Sequence, residues 1–529
     1  MAKKATKKKA AKKTTKKKAT KKKSPSSEAN GKVDPRRAEV QQIIKNACDE
    51  MRTEGIPPRN YVEQLAWLFF LKAFDESETR REEEAAFDDE AFERRLSGKF
   101  AWSSWATNTD HPDEMLEFVK EDLWDKLTSD DPKVGMGDDD LAVKFRRIFN
   151  NVNNHCRRGT SFARVVQQVQ KLQFSSETDI HVLSEIYEML LKEVADDSAG
   201  YAGEFFTQRH LIRAIVEVVK PKVGDRVYDP CFGTCGFLGE AADFMTDPDR
   251  NSDAANLSRK DLKTLQTSSF FGVEIQPLTY LLGTMNMVLH GIDGASLELG
   301  NTLELHDQNV AEKDKYDVIL SNPPYGGKMA SNLQTNFRVR SAATEILFVQ
   351  HIMRNLAKGG RAAVIVPEGV LFRGGPDEKV RKELLEQFDV HTILSLPAGC
   401  FLPYTGVKTN VVFFDRPDSE PQRNELATKT VWYFELTNDG FDLKQTRRPI
   451  EGNQLPEFLN TWEEKIKSNE SWCVPATQIA EKGYDLSARN PSSVTNVEHL
   501  PAMDLVRTIR ERTIRVSSLL DEIEEVLEQ

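Results

Sequence analysis

The chain has 529 residues, 39% hydrophobic and 29% charged, room for about three globular domains. Its net charge of −11 conceals two objects: residues 1–23 carry 13 Lys and no acid, while the remainder holds 59 basic against 83 acidic residues. No run approaches the roughly 18–20 apolar residues of a membrane helix, the N-terminus lacks the apolar centre of a secretory signal, and six scattered Cys make no disulfide framework, so a reducing cytoplasm is the expected setting.

Residues 1–32 are Lys/Ala/Thr-rich and then Ser-Pro-Ser-Ser, a composition that cannot bury a core and predicts a disordered tail drawn to nucleic-acid phosphates. Residues 37–195 predict a helical domain. Ile43, Ile44, Ala47, Cys48 and Met51 recur at helical spacing, residues 61–74 read as an apolar helix, and residues 183–194 as an amphipathic one. Between them, residues 75–93 read as an exposed acidic helix face. Trp102, Trp105 and Trp124 fall among loops and short helices. Residues 128–140, with Pro132, Gly135 and Gly137, read as a loop.

From about Gly203 the pattern changes. Apolar runs at 226–228, 269–273, 318–321, 362–366, 391–396 and 410–414 alternate with helical stretches, which predicts a parallel, doubly wound α/β domain over 196–420. Residues 425–529 predict a third region, with a strand at 432–435, a helix at 458–468 and a terminal helix at 502–528. In that last helix Val506, Ile509, Thr513, Val516, Leu520, Ile523 and Leu527 form a heptad seam suited to a partner helix.

Three strand ends carry chemistry. The first, Asp229-Pro230-Cys231-Phe232-Gly233-Thr234-Cys235-Gly236, joins a strand to a helix: its glycines admit a ligand close to the backbone, and Asp229 can take an amine or a hydroxyl. Cys231 and Cys235 have no companion Cys or His pair, so no zinc site is expected there. The second end is Glu274, placed where a ribose diol is gripped. It lies much farther from Asp229 than the usual ~20 residues, because a polar stretch, 246–267, intervenes. The third, Asn322-Pro323-Pro324-Tyr325, is the sharpest signal. Two prolines stiffen the segment, Asn322 offers an acceptor oxygen, and Tyr325 offers a flat face and a hydroxyl. The set suits a planar substrate bearing an amino group, which would donate to Asn322 and the Pro323 carbonyl.

These motifs resemble those of S-adenosylmethionine-dependent N6-adenine DNA methyltransferases. The segment Gly203-Glu204-Phe205-Phe206-Thr207-Gln208-Arg209, the later Leu396-Pro397-Ala398-Gly399 and Gly406-Val407-Lys408-Thr409-Asn410, and Asn60-Tyr61-Val62 in the helical region narrow the resemblance to modification subunits of type I restriction–modification systems, over roughly 37–529. The resemblance implies a Rossmann-like methyltransferase sheet with a helical N-terminal domain and a C-terminal helical extension. It implies S-adenosylmethionine as cofactor, with Glu204, Phe205, Phe206, Thr207, Gln208 and Arg209 alongside it, Asp229 near its amine, and Gly233, Thr234, Cys235 and Gly236 giving backbone contacts. Glu274 would hold the ribose and Asn301 the edge of the adenine ring. Cys235 stands where a smaller residue is common, but Cys is small enough that binding is expected to survive. Asn322, Pro323, Pro324 and Tyr325 would be catalytic, acting on an adenine flipped from double-stranded DNA, with no metal. Implied partners are a specificity subunit, with two modification subunits around it, and a restriction subunit, all in a bacterial or archaeal cytoplasm. Two other functions fit less fully. One is an enzyme acting on an RNA base or a protein glutamine, which usually lacks such a helical domain. The other is an inactive DNA-binding scaffold, against which the intact Asn322–Tyr325 set and Glu274 argue.

Overall fold

The computed structural model describes residues 35–87, 89, 91–174, 207–304, 310–402, 404–419, 421, 425–444 and 447–492, with 510 and 513. The expected tail, the helix at 183–194, Glu204, Phe205 and Phe206, and all of the heptad seam except Thr513 lie outside the described residues.

The N-terminal part is a layer of helices: α1 (Pro35–Thr53), α2 (Tyr61–Phe87), α3 (Trp102–Trp105), α4 (Pro112–Phe118), α5 (Trp124–Thr128), α6 (Asp140–Phe149) and α7 (Gly159–Gln170). Residues 65–71 of α2 are apolar on every side, and Val62, Leu65, Trp67, Leu68 and Phe70 are fully enclosed, as expected of a helix surrounded by others. Trp67 meets Trp124 edge-on at 5.3 Å, and Phe70 meets Phe145 at 5.1 Å. The acidic stretch corrects the sequence reading. The helix does not end at Phe74, and its first acids are not an exposed face. Asp75 and Glu78 are buried because they satisfy donors of the following loop: Arg94 Nη2 donates to Asp75 at 2.6 Å, and the backbone N–H of Arg95 donates to Glu78 at 2.7 Å. A carboxylate that caps loose backbone can be enclosed where an unpaired one cannot.

The α/β part begins with α8 (Arg209–Val219) and β1 (Val227–Asp229), then α9 (Gly236–Thr246), α10 (Arg259–Ser268), β2 (Phe270–Glu274), α11 (Pro277–Leu289), β3 (Ser296–Leu299) and β4 (Tyr316–Ser321). It continues through α12 (Thr344–Asn355), β5 (Leu356–Pro367), α13 (Glu368–Phe372), α14 (Pro376–Gln387), β6 (Asp389–Ser395), β7 (Thr409–Asp415), β8 (Thr430–Glu435), α15 (Leu455–Thr461), β9 (Ser471–Pro475) and α16 (Ala476–Glu481). Among the described residues nine strands form one sheet, in the order β3-β2-β1-β4-β5-β7-β6-β8-β9. Helices α8, α9, α11 and α15 cover one face and α12, α13, α14 and α16 the other.

The sheet is not wholly parallel as the alternation suggests. β7 runs antiparallel to both β5 and β6, and β9 antiparallel to β8. β6 returns directly into β7 through a loop with no crossover helix, and only an antiparallel partner can be reached that way. Apolar runs do not encode strand direction. The third region is corrected too: β8 and β9 extend the same sheet. The helix expected at 458–468 is shorter, Leu455–Thr461. The polar insertion contains α10, opened by a Ser258–Asp261 capping box.

Helix α11 joins the two parts. Leu281, Leu282, Met285, Val288 and Leu289 belong to the core of the helical layer, whereas Tyr280 and Met287 belong to the core against the sheet. Gly283 sits where a Cβ would lie 2.7 Å from the Gly233 carbonyl oxygen and 3.0 Å from Cys235 Sγ. Gly283→Ala should therefore destabilise the chain by about 1–3 kcal/mol through overpacking, read as a lower urea midpoint. An unchanged midpoint would show that the turn at Gly233 yields without cost.

Candidate active site

β2, β1 and β4 are parallel neighbours, and their carboxyl ends bring Glu274, Asp229 and Ser321-Asn322 to one rim. The chain runs from β1 to β2 on one side and from β4 to β5 on the other, and between such neighbours doubly wound sheets open a ligand crevice. The turn after β1 is shaped by backbone that side chains rarely allow: Gly233 has φ +55° and Cys235 φ +61°. Cys235 is fully buried beside Gly283, so its side chain packs into the core. From behind, Asn286 Nδ2 donates to the Thr234 carbonyl at 2.9 Å.

Glu274 closes this turn. One carboxylate oxygen accepts from Gly233 N–H at 3.0 Å and the other from Gln276 N–H at 2.8 Å, and burial pushes its carboxyl above the ordinary range. Each oxygen keeps a lone pair for a hydroxyl donor. Next to it Ile275 is 55% exposed, and Leu299 across the rim is 40% exposed. These apolar side chains offer a planar ring a surface. Sequence reasoning passed over both; an isoleucine directly after a strand-end acid was the available signal. Asn301 spends its amide on its own turn, accepting from Leu303 N–H at 3.1 Å and donating to Glu304 at 3.1 Å. The turn is tied to the first one by Thr302, whose hydroxyl donates to the Pro230 carbonyl.

Asp229 is buried at the floor of the rim. Ser321 Oγ donates to it at 2.8 Å and Cys231 N–H at 3.1 Å. Burial pushes its carboxyl up to about 7; the hydrogen bonds from Ser321 and Cys231 offset only part of this, and the nearby Glu274 charge adds to it. Among the described residues no basic side chain is paired with it. A carboxyl enclosed this way is a receptor for a cation or a hydroxyl.

Asn322 follows Ser321 directly. Its Nδ2 donates to Thr207 Oγ1 at 2.9 Å, and its Oδ1 accepts from the Tyr325 hydroxyl. Burial drives the Tyr325 hydroxyl well above its ordinary range, so it acts as a neutral donor. The ring is half-buried against the sheet core, and Pro323 is enclosed while Pro324 stays half-exposed. Thr207 is itself held by its neighbours. Gln208 donates to the Cys400 carbonyl at 3.1 Å, and His210 bonds Asp439 at 3.1 Å. Arg447 donates to Asp439 at 2.6 Å and also to the Cys400 carbonyl. Burial alone would raise the Asp439 carboxyl, but the His210 and Arg447 hydrogen bonds outweigh it and hold it low. Neither Asp439 nor Arg447 carried a sequence signal, because each lies far from any motif. Arg209 opens α8 on this same wall.

Residues 178–499 match the family model described as N-6 DNA Methylase, and residues 40–169 match the HsdM N-terminal domain. The chain belongs to the N-6 DNA methylase family. It is 32% identical over 502 residues to the EcoEI type I restriction enzyme methylase subunit of Escherichia coli, covering 92% of this chain and 97% of that subunit. The EcoKI methylase subunit of the same species is 30% identical, over 82% of this chain and 76% of the relative. Among solved structures, a Vibrio vulnificus chain described as a modification subunit of a type I restriction enzyme superposes with TM-score 0.75 at 32% identity, covering 88% of this chain and 99% of that one. In this methylase, then, the two matched segments coincide with the helical layer and the sheet.

The buried acid makes a pH-dependent prediction. The unfolded chain ionises Asp229 near the ordinary value of about 4, whereas the folded chain does so only at about 7. The folded form therefore binds more protons between those values, and Asp229 costs stability progressively as pH rises across that window, with the cost constant above it. Asp229→Asn keeps the acceptor for Ser321 and removes the charge. Its urea midpoint should rise relative to the unsubstituted chain from pH ~4 to pH ~7. A difference that does not vary with pH would mean that the carboxyl is not desolvated.

Proposed function

We propose that the chain is the modification subunit of a type I restriction–modification system and methylates adenine N6 in double-stranded DNA, with S-adenosylmethionine as methyl donor. The observation that carries this reading is the Ser321–Asp229 hydrogen bond of 2.8 Å, which fixes the acceptor segment Asn322–Tyr325 to the floor of the cofactor crevice. The matched helical layer, 40–169, favours this over an enzyme acting alone on an RNA base or a protein glutamine.

The residues fit the cofactor. Asp229, desolvated and with no basic partner among the described residues, suits its amine, and Glu274, with spare lone pairs, suits the ribose diol. Ile275 and Leu299 suit the adenine face, with Asn301 at its edge. Gly233, Thr234, Cys235 and Gly236 border its methionine end, and Thr207 lies toward its carboxylate, with Glu204, Phe205, Phe206, Gln208 and Arg209 alongside. When bound, the cofactor supplies an electrophilic methyl group on a sulfonium.

The target adenine has to leave the duplex, at a cost of a few kcal/mol. Asn322 Oδ1 and the Pro323 carbonyl then accept the two N6 protons, while Tyr325 supports the ring. Those hydrogen bonds would draw the nitrogen lone pair out of conjugation and hold it toward the rim where Asp229 and Glu274 would hold the methyl donor. With the methyl group supplied by the bound cofactor, the nitrogen would lose its proton after transfer. Positioning and electrostatics supply the catalysis. Sequence choice falls to a specificity subunit, which two copies of this chain flank; the seam from Val506 to Leu527 is its dock, and a restriction subunit completes the nuclease. The setting is the DNA of a bacterial or archaeal cytoplasm.

Asn322→Ala should lower turnover at least ~100-fold with cofactor affinity within about twofold, because it removes an acceptor for the base alone. Glu274→Ala should do the reverse and weaken cofactor binding at least ~10-fold by calorimetry. Near-normal methylation of DNA by the first variant would overturn the assignment. A second test concerns the 13 Lys of residues 1–23. Deleting residues 1–32 should flatten the dependence of DNA affinity on salt without changing the methylated sequence, since lysines contact phosphates and not base edges. A changed methylated sequence would show that the tail reads bases.

A further inference from the structure

The Asn322 amide has one donating and one accepting end, and a half-turn about its last bond exchanges them. Only one orientation serves transfer to an amine, because Oδ1 has to face the incoming N–H. Here each end meets a hydroxyl: Nδ2 donates to Thr207 Oγ1 at 2.9 Å, and Oδ1 accepts from Tyr325. A hydroxyl can donate or accept, so neither contact alone fixes the amide. What fixes it is the use made of the hydroxyl protons.

Thr207 is placed to make that decision. It is 7% exposed, and it comes from 115 residues upstream of Asn322. Its position is fixed by two clamps that follow it directly, at the start of α8. Gln208 is held by the Cys400 carbonyl, and His210 by Asp439, which is enclosed and paired with Arg447. Such a buried pair fixes geometry because moving either member exposes an unpaired charge. The clamps therefore set Thr207 Oγ1 at one point beside the amide.

We propose that Thr207 is a positioning residue that couples cofactor seating to the orientation of Asn322. With the Thr207 O–H donated to the cofactor carboxylate, the Oγ1 lone pairs face Asn322. Only Nδ2 can occupy that side, and Oδ1 is held toward Tyr325 and the target amine. This rests on the roles proposed above for Asn322 and for the cofactor carboxylate. The base acceptor is thus set before the base arrives.

The test is a cycle of variants in the complex assembled with its specificity subunit, using tritiated S-adenosylmethionine and genomic DNA from a host lacking the system. Thr207→Val, nearly isosteric but without a hydroxyl, should lower kcat at saturating cofactor about tenfold or more, and Thr207→Ser should keep it within about threefold. In an Asn322→Asp background both ends of the side chain are acceptors and orientation no longer matters. There Thr207→Val should change kcat by less than about threefold, although calorimetry on the free chain still shows weaker cofactor binding. An equal loss of kcat in both backgrounds would reduce Thr207 to a packing residue and overturn the proposal. So would a Thr207→Val variant that keeps kcat within about threefold, or a failure of Thr207→Ser to rescue. If Asn322→Ala itself retains turnover, the reading of the whole site fails; if it is inactive and Thr207→Val is not, only this inference does.

Discussion

The site depends on the close approach of helix α11 to the turn after β1. Gly283 lets the helix lie where a Cβ would stand 2.7 Å from the Gly233 carbonyl, and Asn286, one turn on, takes the Thr234 carbonyl. The same helix presents its other side to α2 in the core of the helical layer. It is apolar nearly all round because nothing but protein surrounds it. Polar ties reinforce the joint at its end: Arg81 pairs with Asp293 at 3.4 Å, and Lys144 donates to the Asp293 carbonyl. A helix fixed on both sides turns the glycine turn into a rigid cradle, and it makes the helical layer part of the candidate site's support.

Against that rigid frame two carboxyls are buried at an energetic cost. Asp229 and Glu274 are both raised by burial, and the Glu274 charge further disfavours ionisation of Asp229. Core packing offers no compensation for such a pair. The charge on Asp229 adds nothing to the fold that its hydrogen bonds do not already supply, which suits a binding group better than a structural one. The contrast with Asp439 is instructive. It is as deeply buried but stays below its ordinary pKa, because His210 and Arg447 satisfy it. One kind of buried acid is completed by the chain and holds structure; the other is left for a ligand to complete.

The antiparallel strand β7 has a functional consequence as well. Its return from β6 places the loop carrying Cys400 beside Gln208, and the loop after β8 brings Asp439 and Arg447 to the same point. Purely parallel topology would need a crossover helix there and would put those loops elsewhere. The clamp on the 207–210 segment thus follows from strand direction, and through Thr207 it reaches the Asn322 amide.

Much of this protein is legible in its sequence. The three chemistry-bearing turns, the strands that lead into them and the apolar helix from Tyr61 are local patterns. A strand, a Gly turn or an Asn-Pro-Pro-Tyr segment is specified by residues within a few positions of one another, so a linear reading finds it. Tertiary structure alone decided which of these residues meet. The bonds Ser321–Asp229, Asn322–Thr207 and His210–Asp439 span 92, 115 and 229 residues. The burial of Asp75 and Glu78 depends on loop donors 17 and more residues away. The direction of β7 and the membership of β8 and β9 in one sheet depend on strand partners far along the chain. Hydrogen-bond partners, desolvation and strand direction are properties of pairs brought together by packing, and no pattern within a single segment encodes them.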